Sequence, residues 1–215
     1  MFNESQSVFV PERQITNNVL VAFETIHCIN GRRKGKEALM ALKLYMSKAY
    51  NRVESRYLEV IKQRLGFNER WISLVMMCIS TISYYVLING EAKGNIVPTR
   101  GLRRGDPISP YLFLLCAEGL SAMLRKEEEQ GKIRGISISR GAPQISHLFF
   151  ADDSIVFCRA SVEESRRILQ VLEDYEAKSG QKLNKVGEFS KILLPLCTGY
   201  SRQGTSRIGL LKRLC

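Results

Sequence analysis

Residues 147–158, HLFFADDSIVFC, limit the fold of this chain more than any other segment. Two apolar runs flank Ala151, Asp152 and Asp153, and this pattern predicts a β-hairpin with two adjacent carboxylates at its tip. An Asp-Asp pair in a turn often means no more than solvent exposure, because aspartate is a good turn residue. The alternative is a site for a divalent cation, which would relieve the repulsion between the two carboxylates.

The spacing of hydrophobic residues predicts a mixture of helices and strands. The predicted helices are residues 15–31, 53–65, 71–79, 109–129 and 162–178, and the predicted strands are residues 39–46, 82–88, 133–139, 146–150 and 154–158. The first helix should present one apolar face, made of Ile15, Val19, Ala22, Ile26 and Ile29. Asn89-Gly90 is a strong hairpin-turn signal, and residues 93–110 should form a loop. This order favours an α+β domain, in which helices pack on one face of an antiparallel sheet.

The charge of the chain favours a polyanionic partner. Its 215 residues include 32 Lys and Arg but 21 Asp and Glu, which gives a formal net charge of +11. A nucleic acid or an acidic membrane surface would suit this charge, although a solvated basic surface is an equal alternative for any single cluster. The basic clusters are residues 32–36, 100–104 and 181–215.

Two further patterns bear on metal binding and location. The six cysteines are scattered and form no CxxC pair, which argues against a zinc site and a disulfide framework. The first residues lack the pattern of a signal peptide. The most apolar stretch, residues 111–124, contains Glu118 and is too short to span a bilayer. We therefore expect an intracellular protein, nuclear or cytoplasmic, that is not secreted and has no membrane partner.

Four ordered motifs resemble the reverse transcriptase domain of LINE-type non-LTR retrotransposons, in a plant-like style of sequence. Residues 6–17 (QSVFVPERQITN) are similar to QSAFVPGRLITDN of that family, and residues 100–113 (RGLRRGDPISPYLF) to its nucleotide-pocket motif RGLRQGDPLSPYLF. The hairpin with FADD is the third motif, and residues 179–184 (SGQKLN) resemble the segment that follows it. The resemblance covers about residues 4–190 and keeps the order and approximate spacing of the family.

This resemblance implies the fold and chemistry of an RNA-directed DNA polymerase. It implies a polymerase palm with part of the fingers in residues 1–190, followed by a divergent basic tail in residues 191–215. In the family, two Mg²⁺ ions align the 3′-hydroxyl of a DNA primer on an RNA template with the α-phosphate of a deoxynucleotide triphosphate. Asp152 and Asp153 match the metal-binding carboxylates of the hairpin. The positions that match the nucleotide pocket are Tyr50, which is equally well explained as a core tyrosine, Arg104, Gly105, Ser109 and Pro110.

The chain departs from the family pattern at residues that matter for catalysis. Where the family reads KLDMSKAYDRVEW, residues 43–55 read KLYMSKAYNRVES, so Tyr45 occupies the position of the first catalytic aspartate. By the resemblance this aspartate bridges both metal ions, whereas a phenol is neutral at pH 7 and a poor Mg²⁺ ligand. A usual aspartate is replaced by Asn51, a usual glutamine by Arg104 and a usual glycine by Glu12.

These departures predict a reverse transcriptase domain that is catalytically inactive. The parts of the family that the resemblance does not reach, which are the N-terminal fingers, the thumb and the endonuclease, indicate that it is also truncated. Two alternatives stay open, a non-catalytic nucleic-acid-binding protein derived from the palm and a decayed open reading frame with no folded product. A primer-extension assay separates the first reading from both alternatives, and a folding measurement separates the alternatives from each other.

Overall fold

The computed structural model describes residues 5–6, 12–31 and 38–183, and these residues have the α+β architecture that the sequence predicted. The helices in these ranges are α1 (Ile15–Gly31), α2 (Ala49–Arg52), α3 (Ser55–Arg64), α4 (Glu69–Ser80), α5 (Ser109–Glu129) and α6 (Val162–Ser179). The strands are β1 (Leu39–Tyr45), β2 (Tyr84–Ile88), β3 (Glu91–Ile96), β4 (His147–Phe150) and β5 (Asp153–Arg159). Residues 7–11 of the first motif, the basic cluster at residues 32–36 and everything after residue 183, including the tail at residues 191–215, lie outside the described residues.

A three-stranded antiparallel sheet in the order β1-β5-β4 positions the acidic hairpin. The central strand β5 pairs with β1 along its full length, ending at Tyr45↔Asp153, and with β4, ending at Phe150↔Asp153. Ala151 and Asp152 alone separate the two strands of the hairpin, and Ala151 has a φ of 56°. A positive φ at the first of two loop residues is typical of a type II′ turn, whose twist matches the twist of the strands.

The two faces of the sheet have different neighbours, because successive residues of a strand point to opposite sides. The even-numbered residues of β1 are buried in the main core with apolar side chains of α3, α4, α5 and α6. On the other face, Leu39 and Ala41 belong to a smaller core that α1 closes. Lys43 and Tyr45 continue this second face beyond the smaller core and are half-buried. The acidic hairpin therefore meets β1 where the second face opens toward solvent.

The predicted apolar face of α1 is only partly correct. Ala22 and Ile29 are buried, but Ile15 and Val19 are 53% and 50% exposed, and the polar residues Asn18 and Thr25 are buried in their place. Asn18 donates from Nδ2 to the backbone oxygens of Ser5 and Phe149, at 2.8 and 3.3 Å, and the hydroxyl of Thr25 donates to the oxygen of Val21 at 2.7 Å. Hydrogen bonds of this kind offset the free energy that it costs to bury a polar side chain.

The predicted strand at residues 133–139 is wrong. Only Ile136 pairs there, in an isolated bridge with Ile145. The hydroxyl of Ser137 lies 2.7 and 2.9 Å from the backbone oxygens of Ser139 and Ala142, and its one proton is donated to this pair of acceptors. Such local bonds from serine compete with strand pairing, and they hold this segment in a turn instead.

The region between β1 and α5 follows the prediction in outline. The β2–β3 hairpin turns at Asn89 and Gly90, whose φ values of 50° and 85° fit a type I′ turn. Because β3 runs to Ile96, the predicted loop begins later than residue 93. The sequence missed α2, and Val53 ends α2 instead of lying in α3. No helix within the described ranges is both long and apolar enough to span a bilayer.

Candidate active site at the acidic hairpin

The acidic hairpin lies directly beside the end of β1, as the sequence predicted. Asp153 is the Cα partner of Tyr45, and the backbone oxygen of Asp152 accepts from the N–H of Met46 at 3.4 Å. Partners in an antiparallel pair lie about 4.5 to 5.5 Å apart at Cα and point to the same face. Asp152 is exposed and Asp153 is half-buried. The structure thus brings both aspartates to the position that carries Tyr45.

A lysine completes this corner of the sheet. Nζ of Lys43 lies 3.8 Å from Oδ2 of Asp153 and 4.4 Å from the centroid of the Tyr45 ring. The side chains of Lys43 and Asp153 are 39% and 42% exposed, so solvent screens their attraction. Lys43 was not predicted from the sequence as a site residue, although it lies two residues before Tyr45 and therefore on the same face of the strand.

The donor set at the hairpin fits one divalent cation better than two. Asp152 and Asp153 supply carboxylate oxygens, which Mg²⁺ prefers. The third position is the phenol of Tyr45, and the ammonium of Lys43 lies beside Asp153. Within the described ranges, no group of three or more His, Cys, Asp or Glu side chains is arranged to hold a metal ion. These residues therefore do not fit the two-ion site that the resemblance implies.

Tyr50 packs against the core and lies near the acidic hairpin. Its ring stacks on Phe113 of α5, with centroids 5.1 Å apart and planes at 20°, so it packs against the core. Burial and the negative charge of Asp152 both raise the pKa of Tyr50. The electrostatic effect of Asp152 indicates that Tyr50 also lies near the tip of the hairpin. Lys48 allows this arrangement, since its left-handed conformation (φ 52°) turns the chain from β1 into α2.

Residues 181–183, which follow α6, contact the turn between β1 and α2. The side-chain amide of Gln181 donates to the backbone oxygen of Ala49 at 2.8 Å, and the N–H of Ser47 donates to the oxygen of Lys182 at 2.7 Å. Leu183 pairs with Met46 in an isolated bridge. The motif SGQKLN therefore fixes the turn between β1 and α2, as far as the described residues show. Sequence reasoning matched this motif to the family without finding the role of Gln181.

The start of the nucleotide-pocket motif is tied to the backbone around Tyr50. The N–H of Leu102 donates to the oxygen of Tyr50 at 2.7 Å, and the N–H of Gly101 donates to the oxygen of Val53 at 2.9 Å. A Cβ on Gly101 would lie 2.9 Å from the backbone oxygen of Asn51, so only glycine fits this close approach. The loop is thus anchored next to the acidic hairpin through α2.

The remaining pocket residues lie in the turn that starts α5. Arg104 and Gly105 are exposed, and Gly105 has a φ of 84°, which glycine adopts without strain. Oδ1 of Asp106 accepts from the N–H of Ile108 at 3.0 Å in a local turn. Ser109 is buried, and Pro110 lies in the first turn of α5, where the missing N–H costs no hydrogen bond. This geometry is consistent with structural roles for Gly105 in the loop before α5 and for Ser109 and Pro110 in its first turn.

A buried network supports β4 just before the hairpin. Nε2 of His147 lies 2.8 Å from the hydroxyl of Ser121, and Nδ1 lies 3.0 Å from the hydroxyl of Ser146, which donates to Oε2 of Glu128 at 2.7 Å. Since Ser146 gives its proton to Glu128, it accepts from Nδ1, which leaves Nε2 to accept from Ser121. Burial, and secondarily the charge of Arg125, lowers the pKa of His147 to about 4. The ring is therefore neutral at pH 7.

Comparison with known proteins places the geometry in context. Residues 1–186 match the family described as "Reverse transcriptase (RNA-dependent DNA polymerase)". The chain is 27% identical over 184 residues to the "Transposon TX1 uncharacterized 149 kDa protein" of Xenopus laevis, with 86% of this chain and 13% of that protein covered. It is 27% identical over 129 residues to a "Retrovirus-related Pol polyprotein from type-1 retrotransposable element R2" of Popillia japonica, with 60% and 17% covered.

A shorter relative matches part of the chain more strongly. An uncharacterized mitochondrial protein of Arabidopsis thaliana is 53% identical over 73 residues, which cover 33% of this chain and 60% of that protein. The chain thus spans 60%, 13% and 17% of the lengths of these three relatives.

Proposed function

This chain belongs to the reverse transcriptase (RNA-dependent DNA polymerase) family, and from this premise we propose that it is a retrotransposon polymerase palm that no longer transfers nucleotides. Members of the family use divalent metal ions and act on a nucleic-acid template and primer. We propose that the partners of this chain would be an RNA template, a DNA primer and deoxynucleotide triphosphates. We further propose that the protein acts inside the cell, in the nucleus or cytoplasm, without a membrane partner.

The pairing of Tyr45 with Asp153 carries the proposal of inactivity. The family site, as the resemblance gives it, needs a carboxylate on β1 to bridge two metal ions. A tyrosine there removes one negative charge and one ligand, and it adds a ring next to the hairpin. Loss of a residue that only supports a metal ligand costs about 10–100-fold, and loss of a bridging ligand should cost more.

The other proposed roles follow the resemblance onto Tyr50, Arg104, Gly105, Ser109 and Pro110. Tyr50 would lie under the sugar of the incoming nucleotide, and its stacking on Phe113 would keep the ring in place. Arg104 and Gly105 would lie along the triphosphate, with Ser109 and Pro110 shaping the start of α5 beside it. Asp152 and Asp153 would hold one divalent cation weakly, with only charge neutralisation to offer the bound phosphates.

A primer-extension assay on an RNA template tests the proposal. The full chain with Mg²⁺ and all four deoxynucleotide triphosphates should give no extension above a no-enzyme control. An active relative assayed in parallel shows that template and primer are competent. Extension by this chain would overturn the proposal. Filter binding of the same template-primer distinguishes a chain that binds without synthesis from one that does neither, and circular dichroism shows whether the chain is folded.

A further inference from the structure

Lys43 links the departure at Tyr45 to the acidic hairpin. Tyr45 and Asp153 are Cα partners, and Lys43 lies two residues before Tyr45 on the same strand, so the three side chains share one face of the sheet. The ammonium lies 4.4 Å from the centroid of the Tyr45 ring and 3.8 Å from Oδ2 of Asp153. The negative face of an aromatic ring attracts a cation, and the carboxylate attracts the same cation from its side.

We infer that the ammonium of Lys43, held between the Tyr45 ring and Asp153, stands in place of a metal ion and lowers the affinity of the hairpin for divalent cations. The inference rests on the proposed function but goes beyond it. The missing carboxylate at Tyr45 explains only the loss of a ligand. The family pattern has a lysine at the same position, so what differs here is the Tyr45 ring, which holds the positive charge of Lys43 beside Asp153, where a cation would bind.

The ring of Tyr45 gives Lys43 a position that an aspartate would not give. An aspartate has no π face, and its charge would attract metal ions as well as the ammonium. The tyrosine ring holds the ammonium without adding an anion that a metal could use. Because both charged side chains are near 40% exposed, we take the interaction at its weak, water-screened limit. In water, a unit charge about 4 Å away changes the binding constant of another unit charge by about fivefold, and that of a divalent ion by more.

Titration with Mn²⁺, followed by the loss of the electron paramagnetic resonance signal of free Mn²⁺, tests this inference on the full chain. Lys43→Met keeps the apolar stem of the side chain and removes the charge, and Lys43→Gln serves as a second variant should the first fold poorly. The matched control is Lys126→Met, which removes an exposed lysine from α5. We expect either substitution at Lys43 to tighten Mn²⁺ binding by about fivefold or more, and the control to leave it within about twofold.

A double variant shows where the added Mn²⁺ binds. Combining Lys43→Met with Asp153→Asn should abolish the gain, since the carboxylate that the ammonium shields is then gone. Unchanged Mn²⁺ affinity in both folded Lys43 variants would overturn the inference, and so would a gain that survives Asp153→Asn. Neither result bears on primer extension by the unaltered chain, so a failure of this inference is distinguishable from a failure of the proposed function.

Discussion

Gln181 and Ala49 are joined by a buried hydrogen bond of 2.8 Å that ties the segment after α6 to the turn following β1. Gln181→Leu would leave the backbone oxygen of Ala49 without this donor. An unsatisfied buried acceptor costs about 1–3 kcal/mol, so we expect the free energy of unfolding to fall by that amount in urea titrations. Gln170→Leu is the control, since Gln170 is exposed on α6 and should change stability little. Equal effects of the two substitutions would refute a special role for Gln181.

The effect of a tyrosine at the position of Tyr45 can be tested in a catalytically active relative. A tyrosine placed at the corresponding position of an active relative should abolish primer extension, because it removes the carboxylate that faces the hairpin. An asparagine placed at the position corresponding to Asn51 should reduce extension less, since Asn51 is exposed on α2. Steady-state extension rates measure both. Robust synthesis by the tyrosine variant would contradict the assignment of this position.

Lys62 should destabilise the fold. It is fully buried on α3, and its Nζ has no hydrogen-bond partner among the described residues. Burial lowers the pKa of Lys62, against smaller opposite effects of Glu59 and Cys116. We expect Lys62→Met to raise the free energy of unfolding by about 1–3 kcal/mol, the cost of an unsatisfied buried polar group. Lys126→Met, at an exposed site on α5, should change it by less than about 0.5 kcal/mol.

The pH dependence of stability gives Lys62 a second test. A lysine whose pKa is lower in the folded state than in the unfolded state binds more protons when unfolded. Stability should therefore rise as the pH increases through the folded pKa toward the unfolded value of about 10.4. Lys62→Met should remove this rise, whereas Lys126→Met should keep it. A rise of equal size in both variants would mean that Lys62 is not its source.

His147 should make the fold sensitive to acid. Its pKa of about 4 in the folded protein lies below the ordinary 6.5, so the unfolded chain takes up the proton first as the pH falls. Above about pH 6.5 the free energy of unfolding should not depend on this group. Between about pH 6.5 and 4 it should fall by about 3 kcal/mol. His147→Phe should flatten that part of the curve, measured by urea unfolding at each pH. His27→Gln, at the other histidine, which is exposed on α1, should leave the curve unchanged.

Glu12 occupies a backbone conformation that suits glycine. Its φ is 65°, and the resembling family has glycine at this position. A left-handed conformation costs a residue with a Cβ about 1–2 kcal/mol, so Glu12→Gly should raise the midpoint of thermal unfolding. Glu24→Gly, in the interior of α1, should lower it, because glycine there costs about 1 kcal/mol. A fall in both variants would count against strain at Glu12.

The sequence predicted the elements whose signals are local. The apolar runs around Asp152 and the Asn89-Gly90 turn each specify a hairpin within a few residues, and both hairpins are present. The place of Tyr45 beside the acidic hairpin came from the resemblance, since nothing local joins residues 45 and 153.

Features that depend on contacts between distant parts of the chain could not be predicted from local sequence patterns. Asn18 looks like a solvent-facing residue of α1 until the backbone oxygen of Phe149 is known to accept from it. The burial of Lys62 and the bond from Gln181 to Ala49 also join parts of the chain that no sequence period connects. The sequence therefore predicted that Asp152 and Asp153 lie at the hairpin tip. It did not predict that Lys43 lies beside Asp153 or that Gln181 bonds to Ala49.

The strand order β1-β5-β4 also sets when the site can form as the chain folds. The β4–β5 hairpin closes a loop of two residues, whereas pairing β1 with β5 closes the long segment between Tyr45 and Asp153. Long loops lose more entropy on closure, and folding rates fall as such distant contacts dominate. We expect the hairpin with α6 to form early and β1 to join late. The contacts among Lys43, Tyr45 and Asp153 would then form only when β1 joins the sheet. A spectroscopic signal from the Tyr45 ring would therefore report this late step of folding.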